Sequence, residues 1–131
     1  MGQDGIILTN FLIKDGYNVI GIVKKLPAKK IKNTYYLNIN LNNQNKINQL
    51  IASFKPIAFV HLGSSNPNYK EIRNKDYYNI NYSITKNLIN CFAKLTKCKL
   101  ILIGSSQMYS SKKNNINLHS RFNYNNSYAN F

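Results

Sequence analysis

The chain has 131 residues, enough for one modest core, which predicts a single domain. Eighteen Lys and Arg against four Asp and Glu give a formal charge of +14, but the lysines are scattered, and no zinc-finger, helix-turn-helix or RNA-binding signature goes with them. Asn, Lys, Ile and Tyr dominate and all have AT-rich codons, so base composition accounts for the charge and argues against a nucleic-acid partner; the lack of a long apolar run or a secretory leader argues against a membrane and points to the cytoplasm.

In chain order, Gly2 and Gly5 lead into Ile6–Lys14, whose apolar residues repeat at helical spacing, and Asp15-Gly16 is a turn. Tyr17–Val23 is β-branched and short enough for a strand, and Tyr35–Ile39 is a second strand candidate. A helix is predicted from about Gln44 to Phe54, through Ile47, Leu50, Ile51 and Phe54, with Lys55-Pro56 stopping it. Ile57–Leu62 is continuously apolar, as in a strand covered on both faces. Asp76–Lys97 is the longest helix candidate, with Ile80, Ile84, Leu88 and Phe92 four apart, and Leu100–Gly104 is the last clear strand. Cys91 and Cys98 match no common metal spacing and are read as reduced structural thiols, and no metal site is expected. Alternating strands and helices imply right-handed crossovers and an α/β fold with a doubly wound parallel sheet.

Ligands of such sheets bind beyond the carboxyl ends of the strands. The Gly2-Gln3-Asp4-Gly5 segment has the makings of a phosphate loop, since glycine lets backbone approach a pyrophosphate and a helix N-terminus offers free N–H groups. The full pattern has an earlier glycine and a buried strand before it, so the sheet is expected to lack its first strand. Lys24 and Lys25 follow the next strand, where an acidic residue selects NAD and a basic one accommodates the extra phosphate of NADP. They favour NADP, with NAD still open, or they belong to a lysine-rich surface that continues through Lys29, Lys30 and Lys32. His61-Leu62-Gly63-Ser64-Ser65 would let a cofactor pass close to the backbone, with His61 read as a packed, hydrogen-bonded residue. Ser105, at a strand end, and Tyr128, from a following helix, could meet over one substrate hydroxyl.

These residues resemble the extended short-chain dehydrogenase/reductases that act on nucleotide sugars, over the whole chain. Gly2-Gln3-Asp4-Gly5 and Gly16–Lys25 look most like GDP-mannose 4,6-dehydratases. His61-Leu62-Gly63-Ser64 is similar to that family's HLAA motif, Asn81 to its asparagine before the long helix, and Ser105–Tyr109 to its S-S-E-V-Y segment. Ser127–Phe131 is similar to the start of the Y-x-x-x-K motif, whose lysine would be residue 132.

The resemblance implies a partial NAD(P)-binding Rossmann domain over residues 1–131, without the first strand and the C-terminal substrate region. It implies an NADP cofactor, a nucleotide-sugar substrate with a GDP group, and a homo-oligomer at full length. Tyr128 would be the general acid or base, Ser105 would hydrogen-bond the sugar hydroxyl, and hydride would leave sugar C4 for the cofactor. The cofactor would lie against Gly2, Gln3, Asp4, Gly5, Lys24, Lys25, Asn40, Leu62, Gly63 and Ser64. Two positions depart from the family. Gln107 replaces the carboxylate that removes the C5 proton in dehydratases, which leaves epimerisation or keto-sugar reduction open, and Asn40 replaces an adenine-binding aspartate. A catalytically dead fragment and a basic nucleic-acid-binding module are the alternatives.

Overall fold

The computed structural model describes residues 2–64, 75–93, 95, 97–105, 108–109, 116–117 and 119–122. They form α1 (Gln3–Lys14), β1 (Val19–Ile22), β2 (Thr34–Leu37), α2 (Gln44–Phe54), β3 (Ala58–His61), α3 (Lys75–Phe92) and β4 (Lys99–Leu102). The chain divides into two compact units, Met1–Lys55 and Pro56–Phe131.

In the first unit α1 packs on β1, and β1 pairs in parallel with β2, Val19 opposite Thr34 and Ile22 opposite Leu37. Helix α1 ends where Gly16 takes φ +85. The Gly16 N–H donates to the Ile13 carbonyl at 3.0 Å and the Tyr17 N–H to the Leu12 carbonyl at 2.9 Å, a Schellman closure that satisfies carbonyls the helix leaves over. The turn read at Asp15-Gly16 is therefore a helix cap that aims the chain into β1.

At Gly21 the strands approach so closely that a Cβ would lie 2.9 Å from the Tyr36 ring. The ring thus occupies the space a side chain would take. The hydroxyls of Tyr36 and Thr34, two residues apart on one face of β2, are buried without a partner among the described residues. The connection between β1 and β2, residues 23–33, contains no helix, as the two successive strand candidates Tyr17–Val23 and Tyr35–Ile39 imply. Pro27 and the lysines around it favour an irregular path, and Asn33 closes it at φ 60, a conformation that asparagine tolerates.

Helix α2 has the predicted bounds for local reasons. The Asn43 side chain accepts from the Lys46 N–H at 3.0 Å as an N-cap. Lys55, left-handed at φ 45, donates its N–H to the Ile51 carbonyl before Pro56 ends the helix. Ile47 is fully buried and Leu50 nearly so.

In the second unit β3 pairs in parallel with β4, Ala58 opposite Lys99 and His61 opposite Leu102, and α3 packs on β4. The Phe59 and Phe92 rings meet at 5.0 Å and 51°, tying α3 to β3 as well. Helix α3 buries Asn81, Leu88, Cys91 and Phe92, while Ile80 is exposed. Residues four apart drift by roughly 40° per step around a helix of 3.6 residues per turn, so a row at strict four-residue spacing leaves the buried face. The buried stripe runs instead from Asn81 through Leu88 to Phe92, at seven- and four-residue intervals. The helix ends at Phe92 rather than Lys97.

Strand β4 begins one residue earlier than expected and ends at Leu102. The apolar run of β3 is not covered on both faces: Ile57 and Ala58 are exposed, as are Ile101, Leu102 and Ile103 along and beyond β4. Both pairs are parallel, as expected of a Rossmann sheet, and among the described residues each forms its own two-stranded sheet.

Candidate functional site

The carboxyl end of each strand leads into a segment marked by the sequence. Before β1, Gly2 is the N-cap of α1, extended at φ −74 and ψ 164, with no side-chain cap. Gln3, Asp4 and Gly5 form the first turn, and the first backbone bond to Gly2 is that of the Ile6 N–H at 3.2 Å. The N–H groups of a first turn have no acceptor within the helix, and no atom lies within 4 Å of where a Gly2 side chain would begin. Backbone donors and open space fit a pyrophosphate, and the helix dipole adds partial positive charge. Asp4 puts its own negative charge in the same turn. Four residues of the expected cofactor set, Gly2, Gln3, Asp4 and Gly5, are thus contiguous at one helix end.

Lys24 and Lys25 leave β1 exposed, just past the buried Val23. Asn38, just past β2, donates its amide to the Lys24 carbonyl at 2.7 Å. Asn40 accepts the Asn42 N–H on its side-chain oxygen at 3.0 Å, an Asx turn leading toward α2. Together with Asn42, Asn43, Gln44 and Asn45 it lines an open recess of about 490 Å³ with a wall made almost wholly of amides. Such a wall both donates and accepts, which suits a purine edge better than a carboxylate-only wall would. Asn38 is the residue that sequence reading missed. Its one local signal is an asparagine within an apparent strand, where that residue is disfavoured.

In the second unit His61 ends β3 and is half-buried, and burial holds its imidazole below the ordinary histidine value. A side chain at Gly63 would start 3.7 Å from the His61 ring, an ordinary contact. Leu62 is half-buried, while Gly63 and Ser64 are exposed. Beyond β4, Ser105 is half-buried and its carbonyl accepts the Met108 N–H at 3.1 Å, turning the chain at the strand end. A side chain at Gly104 would meet the Met108 sulfur at 3.2 Å, which the flexible Met108 side chain could relieve by a small shift. Tyr128, Gln107 and Ser65 lie outside the described residues.

Asn81, the position resembling the family's helix asparagine, is the buried polar member of the α3 stripe at 2% exposure. Among the described residues there is no group of three or more His, Cys, Asp or Glu able to hold a metal ion, and no helix long and apolar enough to cross a membrane. Cys91 is buried and Cys98 half-buried; both are free thiols, and burial pushes both upward from the ordinary thiol value.

Parallel strands, intervening helices and a glycine-led helix N-terminus define an α/β protein of the nucleotide-binding Rossmann class. The sequence profile of the NAD-dependent epimerase/dehydratase family matches residues 1–130, and the chain belongs to that family. Among solved structures, the Bordetella bronchiseptica enzyme WbmH in complex with NAD+ is similar, with TM-score 0.78 and 23% identity over 98% of this chain and 45% of that one. The UDP-Glc/GlcNAc 4-epimerase of the human pathogen Campylobacter jejuni has TM-score 0.83 and 19% identity over 98% of this chain and 42% of that one. The Bordetella bronchiseptica enzyme WbmG in complex with NAD and UDP has TM-score 0.79 and 16% identity over 98% of this chain and 43% of that one. The chain therefore spans less than half the length of these structures. No curated protein matches the sequence.

Proposed function

We propose that this chain supplies the cofactor-binding part of an NADP-dependent enzyme that oxidises a GDP-linked sugar at C4. The observation that carries the proposal is the Gly2–Gly5 turn at the start of α1 in a chain that belongs to the epimerase/dehydratase family. NAD in the WbmH and WbmG structures supports a nicotinamide dinucleotide here. Lys24 and Lys25, past β1, favour the form with the additional phosphate, and the resemblance to GDP-mannose dehydratases favours the GDP group. The α1 N-terminus would hold the pyrophosphate, Asn40 the adenine, and Leu62-Gly63-Ser64 would pass beneath the rest of the cofactor. When bound, the cofactor accepts and returns hydride.

This chain's own residues handle the proton. With the cofactor bound, Tyr128 as its phenolate would take the proton of the C4 hydroxyl as C4 gives up hydride, and Ser105 would donate a hydrogen bond to the same oxygen, holding it in line. Gln107 has no carboxylate with which to remove the C5 proton, so the 4-keto sugar is re-reduced rather than dehydrated. Epimerisation or keto-sugar reduction is therefore proposed over dehydration, in a cytoplasmic homo-oligomer. NMR of GDP-hexoses incubated with the protein and NADP tests the reading. Inversion at C4 is expected, or, where a GDP-4-keto sugar and NADPH are supplied instead, its reduction at C4, and either is lost in Tyr128→Phe. A 4-keto-6-deoxy product would overturn the reading of Gln107, and turnover confined to UDP-sugars would overturn the GDP assignment.

A further inference from the structure

The last backbone bond between β1 and β2 runs from the Val23 N–H to the Leu37 carbonyl at 2.9 Å. One residue further on each strand the ladder continues through a side chain: the Asn38 amide donates to the Lys24 carbonyl at 2.7 Å, joining residues 14 apart. That carbonyl belongs to the peptide plane shared by Lys24 and Lys25, and a peptide plane is rigid. Holding its oxygen therefore fixes the direction in which the chain leaves Lys24 and enters Lys25. The two lysines are exposed. Without the latch, ordering both of them around one small anion would carry a larger entropy cost.

We propose that Asn38 is a positioning residue for cofactor selection, anchoring the peptide between Lys24 and Lys25 so that both ammonium groups face the ribose 2′-phosphate of NADP. The proposal rests on the reading of Lys24 and Lys25 as phosphate ligands. NAD has no such phosphate, so its binding is indifferent to the latch. Asn38 is exposed, and replacing it leaves the core intact.

The test is a pair of fluorescence titrations, with NADPH and with NADH, on the wild-type protein, on Asn38→Ala and Asn38→Leu, and on the Lys24→Ala/Lys25→Ala double variant. Both Asn38 variants are expected to weaken NADPH binding roughly threefold to tenfold, the worth of one net hydrogen bond, with NADH unchanged. Equal weakening toward both cofactors would show a merely structural role and overturn the proposal. If the double lysine variant loses the NADPH preference while the Asn38 variants keep it, the role of Asn38 falls and the lysine reading stands. If the double variant keeps the wild-type ratio, both fall.

Discussion

The β1–β2 and β3–β4 pairs are both four residues long, parallel and in register, yet their carboxyl ends are built from different chemistry. Beyond β1 and β2 stand two lysines and a series of amides, with Asn38 bonded to the Lys24 backbone. Beyond β3 and β4 stand glycines and serines, with a half-buried histidine and exposed apolar residues such as Ile103. The first pair presents cations and adaptable polar groups, as anion and purine recognition requires. The second presents hydroxyls and bare backbone, which on the proposed function would allow close approach to a sugar and nicotinamide. On that proposal, one architecture would serve two tasks through its loops.

The largest expected effects test whether each unit depends on its own buried anchor. Ile47→Ala and Leu88→Ala remove fully buried side chains, and each is expected to cost about 2–5 kcal/mol in urea denaturation. A negligible loss at either position would mean that its unit is held by something other than that packing. Next comes the close approach that is special to the β1–β2 pair. Gly21→Ala sets a methyl against the Tyr36 ring and is expected to cost about 1–3 kcal/mol, with part of the loss recovered when Tyr36→Ala is added. Additive losses in that double-mutant cycle would show that the ring moves aside freely.

Gly16→Ala forces a side chain into a left-handed cap and is expected to cost about 1 kcal/mol by thermal melting, against little change for Gly2→Ala, where φ is −74 and space is open. Gly2→Ala is expected to act on cofactor binding instead. The smallest effect belongs to the β3–β4 side. Burial lowers the His61 value, so the folded state resists a proton that the unfolded chain accepts. Its contribution is complete above the ordinary value of 6.5 and is lost as the pH falls toward the folded value. Stability should therefore decline on acidification below about pH 6.5, and His61→Gln should remove that part of the decline.

What could be read from the sequence follows from the range of the forces involved. The bounds of α2 were legible because Asn43, Lys55 and Pro56 act within a few residues of the helix they delimit. The four strands were legible from short apolar runs, although the coverage of β3 was overstated because an apolar run says nothing of what lies against it. The α3 face was misread at Ile80 because a four-residue row looks regular in sequence and turns away in three dimensions. For the candidate site, the strand-end segments were legible from glycine, lysine and serine. The Asn38 latch was not, since its partner is 14 residues away and is a backbone carbonyl, which no side-chain pattern records.

The most direct measurement is fluorescence-detected binding of NADPH and NADH to the purified protein. The account predicts saturable binding of both, with NADPH the tighter. Flat titrations with both would contradict a dinucleotide site at the head of α1, and tighter binding of NADH would contradict the part assigned to Lys24 and Lys25.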